Sequence, residues 1–128
     1  MIILSAYERA VQLAPGEPLL NIELAQVQLE TNDPKLIPKA KEELNAALRV
    51  EPDNAEGWRF LAVAHGRSGE LGMAALALAE QNMAQGNFRE AALQADRAQK
   101  TLPAGAQRQR AQDLAQDAKR EQQNQQNR

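Results

Sequence analysis

Apolar residues recur along this chain at three- and four-residue intervals, and no run of alternating β-branched residues interrupts them. That pattern predicts helices throughout and no strand. Ile3, Ala6, Tyr7, Ala10, Val11 and Ala14 line one face of a first helix over about Ile2 to Ala14, ended by Pro15 and Gly16. A second helix is expected over about Pro18 to Glu30, with Leu24 and Ala25 on its apolar face, and Thr31 to Pro34 break it. The third, about Lys35 to Val50, tolerates Pro38 near its start and carries Ala40, Leu44 and Ala47. Asp53 is the expected cap of the fourth, about Asn54 to Gly66, which holds Trp58, Leu61, Ala62 and His65. A fifth helix, about Glu70 to Gln85, contains Ala74 and Leu78. The sixth, about Phe88 to Thr101, contains Ala91, Ala95 and Ala98. Past Leu102 to Gly105, a polar seventh helix over about Ala106 to Arg120 keeps only Ala111, Leu114, Ala115 and Ala118 as an apolar stripe. Residues 121–128 are rich in Gln and Asn, have nothing to bury and are expected to be disordered. The expected organisation is one helical domain over residues 1–120 followed by that tail.

The most specific spacing is Trp58-x2-Leu61-Ala62-x2-His65, followed beyond Gly69 by Ala74-x3-Leu78. It resembles the tetratricopeptide repeat, W-x2-L-G-x2-Y…A-x3-F…P, with Ala62 for the glycine, His65 for the tyrosine and Leu78 for the phenylalanine. The small residue lets a second helix approach closely, while Trp58 and Leu61 form the stripe that the partner helix covers. Echoes stand on either side. Leu24-Ala25-x2-Gln28 is followed by Ala40-x3-Leu44, Ala47 and Pro52, and later Ala91-x3-Ala95, Ala98 and Pro103 keep the same order. The resemblance implies an all-α, right-handed solenoid of about seven antiparallel helices. One irregularity stands out: Gly69 and Gly86, like Ala74 and Ala91, are half a repeat apart. The fifth helix must then serve as the second helix of one hairpin and the first of the next. The first helix reads as the end of a repeat whose partner lies upstream.

Composition narrows the rest. Of 128 residues, 43% are hydrophobic but only 3% aromatic, so the core must be made of alanine and leucine. A formal net charge of −2 supplies no field for nucleic acid. No apolar run is long enough to enter and cross a membrane. Met1 to Leu4 lacks the features of a signal peptide, and the expectation is a start placed inside a longer parent. With one histidine and no cysteine, neither a metal site nor a cofactor is expected. Ser5 and Ser68 have no triad partner other than His65, which is expected to fill the repeat's tyrosine position. The segment Gly66 to Gly72 follows a helix and lacks the Lys-Ser/Thr of a phosphate loop, so it reads as an interhelix turn. Met73 and Met83 read as filling of an alanine-rich core.

What remains is shape, and the expected partner is a protein or peptide held in the repeat groove. By register, the residues of the second and fourth helices that point away from their hairpin partners are Leu19, Ile22, Gln26 and Glu30, then Glu56, Arg59, Val63 and Arg67. Gln26, Glu30, Glu56, Arg59, Val63 and Arg67 are the candidate groove residues. The first helix, with Ile2, Ile3, Leu4, Tyr7 and Val11, offers more apolar surface than one neighbour covers, so self-association through it is also expected.

A narrower likeness runs from Phe60 to Lys119. Leu61 to Glu80, then Gly86 to Ala92, then Leu102-Pro103 and Arg110 to Asp113, are similar to the C-terminal repeat region of bacterial periplasmic zinc metalloproteases of the β-barrel assembly-enhancing type. In that family the zinc ligands belong to an N-terminal domain, none of which is in this sequence. The resemblance implies a non-catalytic periplasmic module that docks a protease to envelope assembly machinery or to its substrate. Without that likeness, a cytoplasmic location and a purely structural, self-associating scaffold are the alternatives.

Overall fold

A computed structural model describes residues 2–128. Among them are seven α-helices and no strand: α1 (Ile2–Leu13), α2 (Pro18–Glu30), α3 (Ile37–Val50), α4 (Ala55–Arg67), α5 (Leu71–Ala84), α6 (Phe88–Thr101) and α7 (Ala106–Gln126). They stack as an all-α solenoid of antiparallel hairpins of the tetratricopeptide type.

Local chemistry sets the ends. Asn54, not Asp53, caps α4: its side-chain oxygen accepts from the Gly57 N–H at 3.0 Å, because the helix begins at Ala55 and the capping position is the residue just before it. The α4–α5 and α5–α6 turns close alike. Gly69 and Gly86 take positive φ, and the next residue in each case donates back across the turn, Glu70 to the His65 carbonyl at 2.9 Å and Asn87 to the Asn82 carbonyl at 2.8 Å. This is the glycine-ended helix closure that a Cβ would strain. The expected start of the third helix at Lys35 is replaced by a 3₁₀ turn over Pro34–Leu36. Pro38 has no N–H to give the Pro34 carbonyl, so Ile37 donates to it instead and the α-helix begins only there.

The polar end of the chain departs from expectation. α7 continues to Gln126, through most of the segment expected to be disordered. Glu and Gln lose little rotamer freedom in a helix, and an established helix propagates cheaply into such residues, of which only Glu121 and Gln122 are partly covered.

Two large apolar clusters fill the interior, and a small third one joins Ala91 and Ala92 of α6 to Ala118 of α7. The first joins Ile22, Ala25 and Leu29 of α2 to Ala40, Leu44, Ala47 and Leu48 of α3 and to Phe60, Leu61, Ala62 and Ala64 of α4. The second joins α5, α6 and α7 through Ala75, Leu76, Ala79, Ala95, Ala98, Leu102, Ala111, Leu114 and Ala115. α5 belongs to both, giving Ala77 to the first and three residues to the second. It packs along α4, along α6 and against α7, while α4 also rests on α2 and α3. This is the double role that the half-repeat glycine spacing implies.

Among the repeat-core positions, Leu24, Ala25, Ala40, Leu44, Ala47, Leu61, Ala62, Ala91, Ala95 and Ala98 are buried. Trp58, Ala74, Leu78 and Phe88 are half-buried, and Trp58 and Leu78 pack against the first cluster from its edge. Phe88 and Ala74 sit near the starts of their helices, and Phe88 shares a shallow hollow with Gln122, Gln125 and Gln126 of α7. Trp58 stands at the edge of an open cleft, and its indole N–H donates to the Pro52 carbonyl at 2.7 Å.

Candidate functional site: a cleft over the fifth helix

The groove residues taken from the repeat register largely satisfy one another. Gln26 donates to Glu30 at 3.0 Å. Arg59 grips Glu56 with two hydrogen bonds of 2.6 and 3.0 Å and lies over the Phe60 ring, 4.3 Å from its centroid. The bonded guanidinium holds the Glu56 carboxyl below the usual carboxylate range. Arg67 donates to the Leu29 carbonyl, joining the end of α4 to the end of α2. Val63 lies open between these pairs. Ile22 does not face a groove at all. It is 5% exposed, and a Cβ built on Gly57 would stand 3.6 Å from its side chain, so it fills the close approach of α4 to α2. Together these residues form a laced polar surface, and a deeper concavity lies elsewhere.

That concavity runs along α5. One wall is α4, with Trp58, Leu61 and His65, extended by Asn45 of α3 and by Pro52 and Asp53 of the α3–α4 turn. The other wall is α7, with Gln107, Arg110, Leu114 and Asp117. Met73, Leu76, Ala77, Glu80, Met83 and Ala84 make the floor. An inner hollow of about 250 Å³ and an outer one of about 530 Å³ meet at Glu80 and Arg110, which line both. The cleft exists because α7 packs on α6 and α5 and does not run along α4.

Its polar groups are well defined. Arg110 forks onto Glu80 across the floor, Nε to Oε2 at 3.0 Å and Nη2 to Oε1 at 2.7 Å. Bonding to Glu80 pushes the guanidinium further above its ordinary range, and the nearby Asp117 and Asp113 carboxylates add to this. His65, 7% exposed, places Nδ1 3.0 Å from Glu70 Oε1, and Lys41 donates to that same oxygen. The Lys41 bond first, and the His65 bond second, hold the Glu70 carboxyl below the usual range. Ser68 donates to the Ala64 carbonyl at 3.1 Å, an ordinary helix-end bond. Among the described residues no three His, Asp or Glu side chains gather as metal ligands.

Sequence reasoning passed over this site. Trp58, Met73 and Met83 were legible as apolar, and the half-repeat spacing around α5 was the signal that its neighbours are unusual. An amphipathic pattern does not say which side of a shared helix the next one leaves open. The floor offers adaptable thioethers and the wall a rigid indole, both able to pack against an apolar group.

Comparison with curated proteins finds no match. Residues 4–64 match the tetratricopeptide repeat family, a stretch that ends within α4 and leaves out α5, α6 and α7. That match, with the stacked hairpins, supports a tetratricopeptide repeat domain, and such repeats generally mediate protein–protein interaction.

Proposed function

We propose that this chain is a non-catalytic protein-binding module whose site is the cleft floored by α5. The observation that carries this reading is the meeting of Trp58, Met73, Leu76 and Met83 in one open, mostly apolar trench between two helices that do not cover it. A peptide-display selection against the purified chain tests it. The expected outcome is a set of short binders whose addition shifts Trp58 emission and whose affinity drops at least tenfold in Met83→Ala combined with Trp58→Phe. Binders that leave Trp58 unmoved and ignore both substitutions would place the site elsewhere.

The finer setting is also proposed. The likeness of Phe60 to Lys119 to periplasmic metalloproteases favours a role as the tail that docks such a protease to envelope assembly machinery or to its substrate. A zinc-protease domain encoded upstream and a periplasmic location of the parent are the outcomes that support it. A parent without that domain removes it. No helix among the described residues is long and apolar enough to cross a membrane.

Self-association is a second reading, favoured by α1, which has no buried residue. Leu4, Tyr7 and Val11 are half-buried, but Ile2, Ile3 and Leu13 are 89%, 58% and 72% exposed. Two copies meeting through these helices would cover that surface. Ile3→Glu with Leu13→Glu is then expected to convert a dimer to a monomer in sedimentation equilibrium with unchanged helicity. A wild-type chain that sediments as a monomer at high concentration would rule the dimer out.

A further inference from the structure

Resting on the reading of the cleft as a peptide site, we infer that its ligand is a segment carrying an aliphatic side chain beside a lysine or arginine. The inner hollow accounts for the aliphatic part. Trp58, Leu61, Leu76 and Ala77 line it, and apolar area there is removed from water only when a partner side chain enters.

The mouth accounts for the cation. Asp53 stands on the α3–α4 turn, Glu80 on the floor and Asp117 on the α7 wall, against one guanidinium, Arg110. Arg110 is committed to Glu80 by two hydrogen bonds, and the Glu80 side chain is only 11% exposed. That pair is closed and neutral. Asp53 makes no ion pair among the described residues, and Asp117, which also feels Arg110, makes only a long, exposed ion pair of 3.6 Å with Arg120. Two carboxylates on opposite sides of an apolar trench therefore remain to be balanced. A ligand bringing a carboxylate or phosphate here would face like charge with no free cation beside it, whereas an ammonium or guanidinium reaches either rim.

Three synthetic peptides test this, with repeats of Gly-Leu-Lys, Gly-Leu-Glu or Gly-Ser-Lys. Each is titrated into the chain with Trp58, its one tryptophan, as the fluorescent reporter and calorimetry alongside. The Gly-Leu-Lys peptide is expected to bind, to shift the emission and to weaken as salt is raised. Asp53→Asn with Asp117→Asn should weaken it by about tenfold at low salt. Ala84→Arg, at an exposed position lining the mouth, offsets one of the two carboxylates and should narrow the preference for the Gly-Leu-Lys over the Gly-Leu-Glu peptide. Circular dichroism checks that both variants keep their helices. Equal binding of the Gly-Leu-Glu peptide, or indifference to the paired asparagines, overturns the basic ligand and leaves the cleft as a peptide site. Equal binding of the Gly-Ser-Lys peptide overturns the aliphatic requirement. No heat and no emission change with any of the three overturns this inference; if display selection also returns no binder, the peptide site falls with it.

Discussion

Replacing Leu44 with alanine is expected to lower the unfolding free energy by about 2–5 kcal/mol, among the largest effects of any single truncation in the chain. Leu44 is fully buried at the middle of α3, within the cluster that ties α2, α3 and α4 together. Its loss removes the transfer free energy of its side chain and leaves a void. The surrounding close-packed side chains, about half of them alanines, relax into it only in part. Leu93→Ala, at an exposed position of α6, is the matched control and should change stability by no more than about 0.5 kcal/mol. Urea unfolding of the two variants decides it. Equal midpoints would mean that the first cluster is not a continuous core.

The opposite error should be costly in the other half. Ala98→Leu is expected to destabilise by about 1–3 kcal/mol through overpacking. Ala98 is fully buried on α6, in the seam where Ala75, Ala79, Ala95, Ala111 and Ala115 pack with Leu76, Leu102 and Leu114. Packing is also tight at Gly72, where a built Cβ would fall 2.9 Å from the Leu102 side chain. A leucine in this seam can be admitted only by moving α7 or α5. Moving α7 would also pull Arg110 from Glu80, so the variant should lose affinity for cleft ligands as well as stability. Lys100→Leu, exposed on the same helix, carries the same side chain without the crowding and should be nearly neutral. If Ala98→Leu unfolds at the wild-type midpoint, the seam has slack.

These two sites show what the sequence makes legible. Helix positions followed from periodicity because each helix has a buried stripe, and α2 and α6 begin and end where Pro18, Glu30, Phe88 and Thr101 mark them. One-residue matters, such as capping by Asn54 rather than Asp53, depend on where the first helical turn closes, and both residues are competent caps. The extension of α7 to Gln126 escaped a reading based on burial, because that segment carries no apolar stripe and rests mainly on the helix propensity of its glutamines. The cleft escaped for a different reason. Gln26, Glu56, Arg59 and Arg67 hold the positions a regular solenoid would turn to a partner, yet here they are spent on Glu30, on each other and on the Leu29 carbonyl. The open trench lies where the repeat is irregular. Its position depends on which face of α5 is covered by α6 and α7, a tertiary choice among several apolar faces of one helix.

A repeat array ordinarily frays from its ends, each unit opening with little effect on units beyond its neighbour. The sharing of α5 removes that insulation at the centre. Whichever half opens first, α5 loses one of its two packed sides, and the half that remains keeps a helix too apolar to stand exposed. Amide exchange should therefore be slowest in α5 and should proceed there only by opening of the whole molecule, while α1 and the last turns of α7 exchange by local fraying. A ligand in the cleft touches α4, α5 and α7 at once. Its binding should slow exchange on both sides of the trench together, as a single cooperative unit.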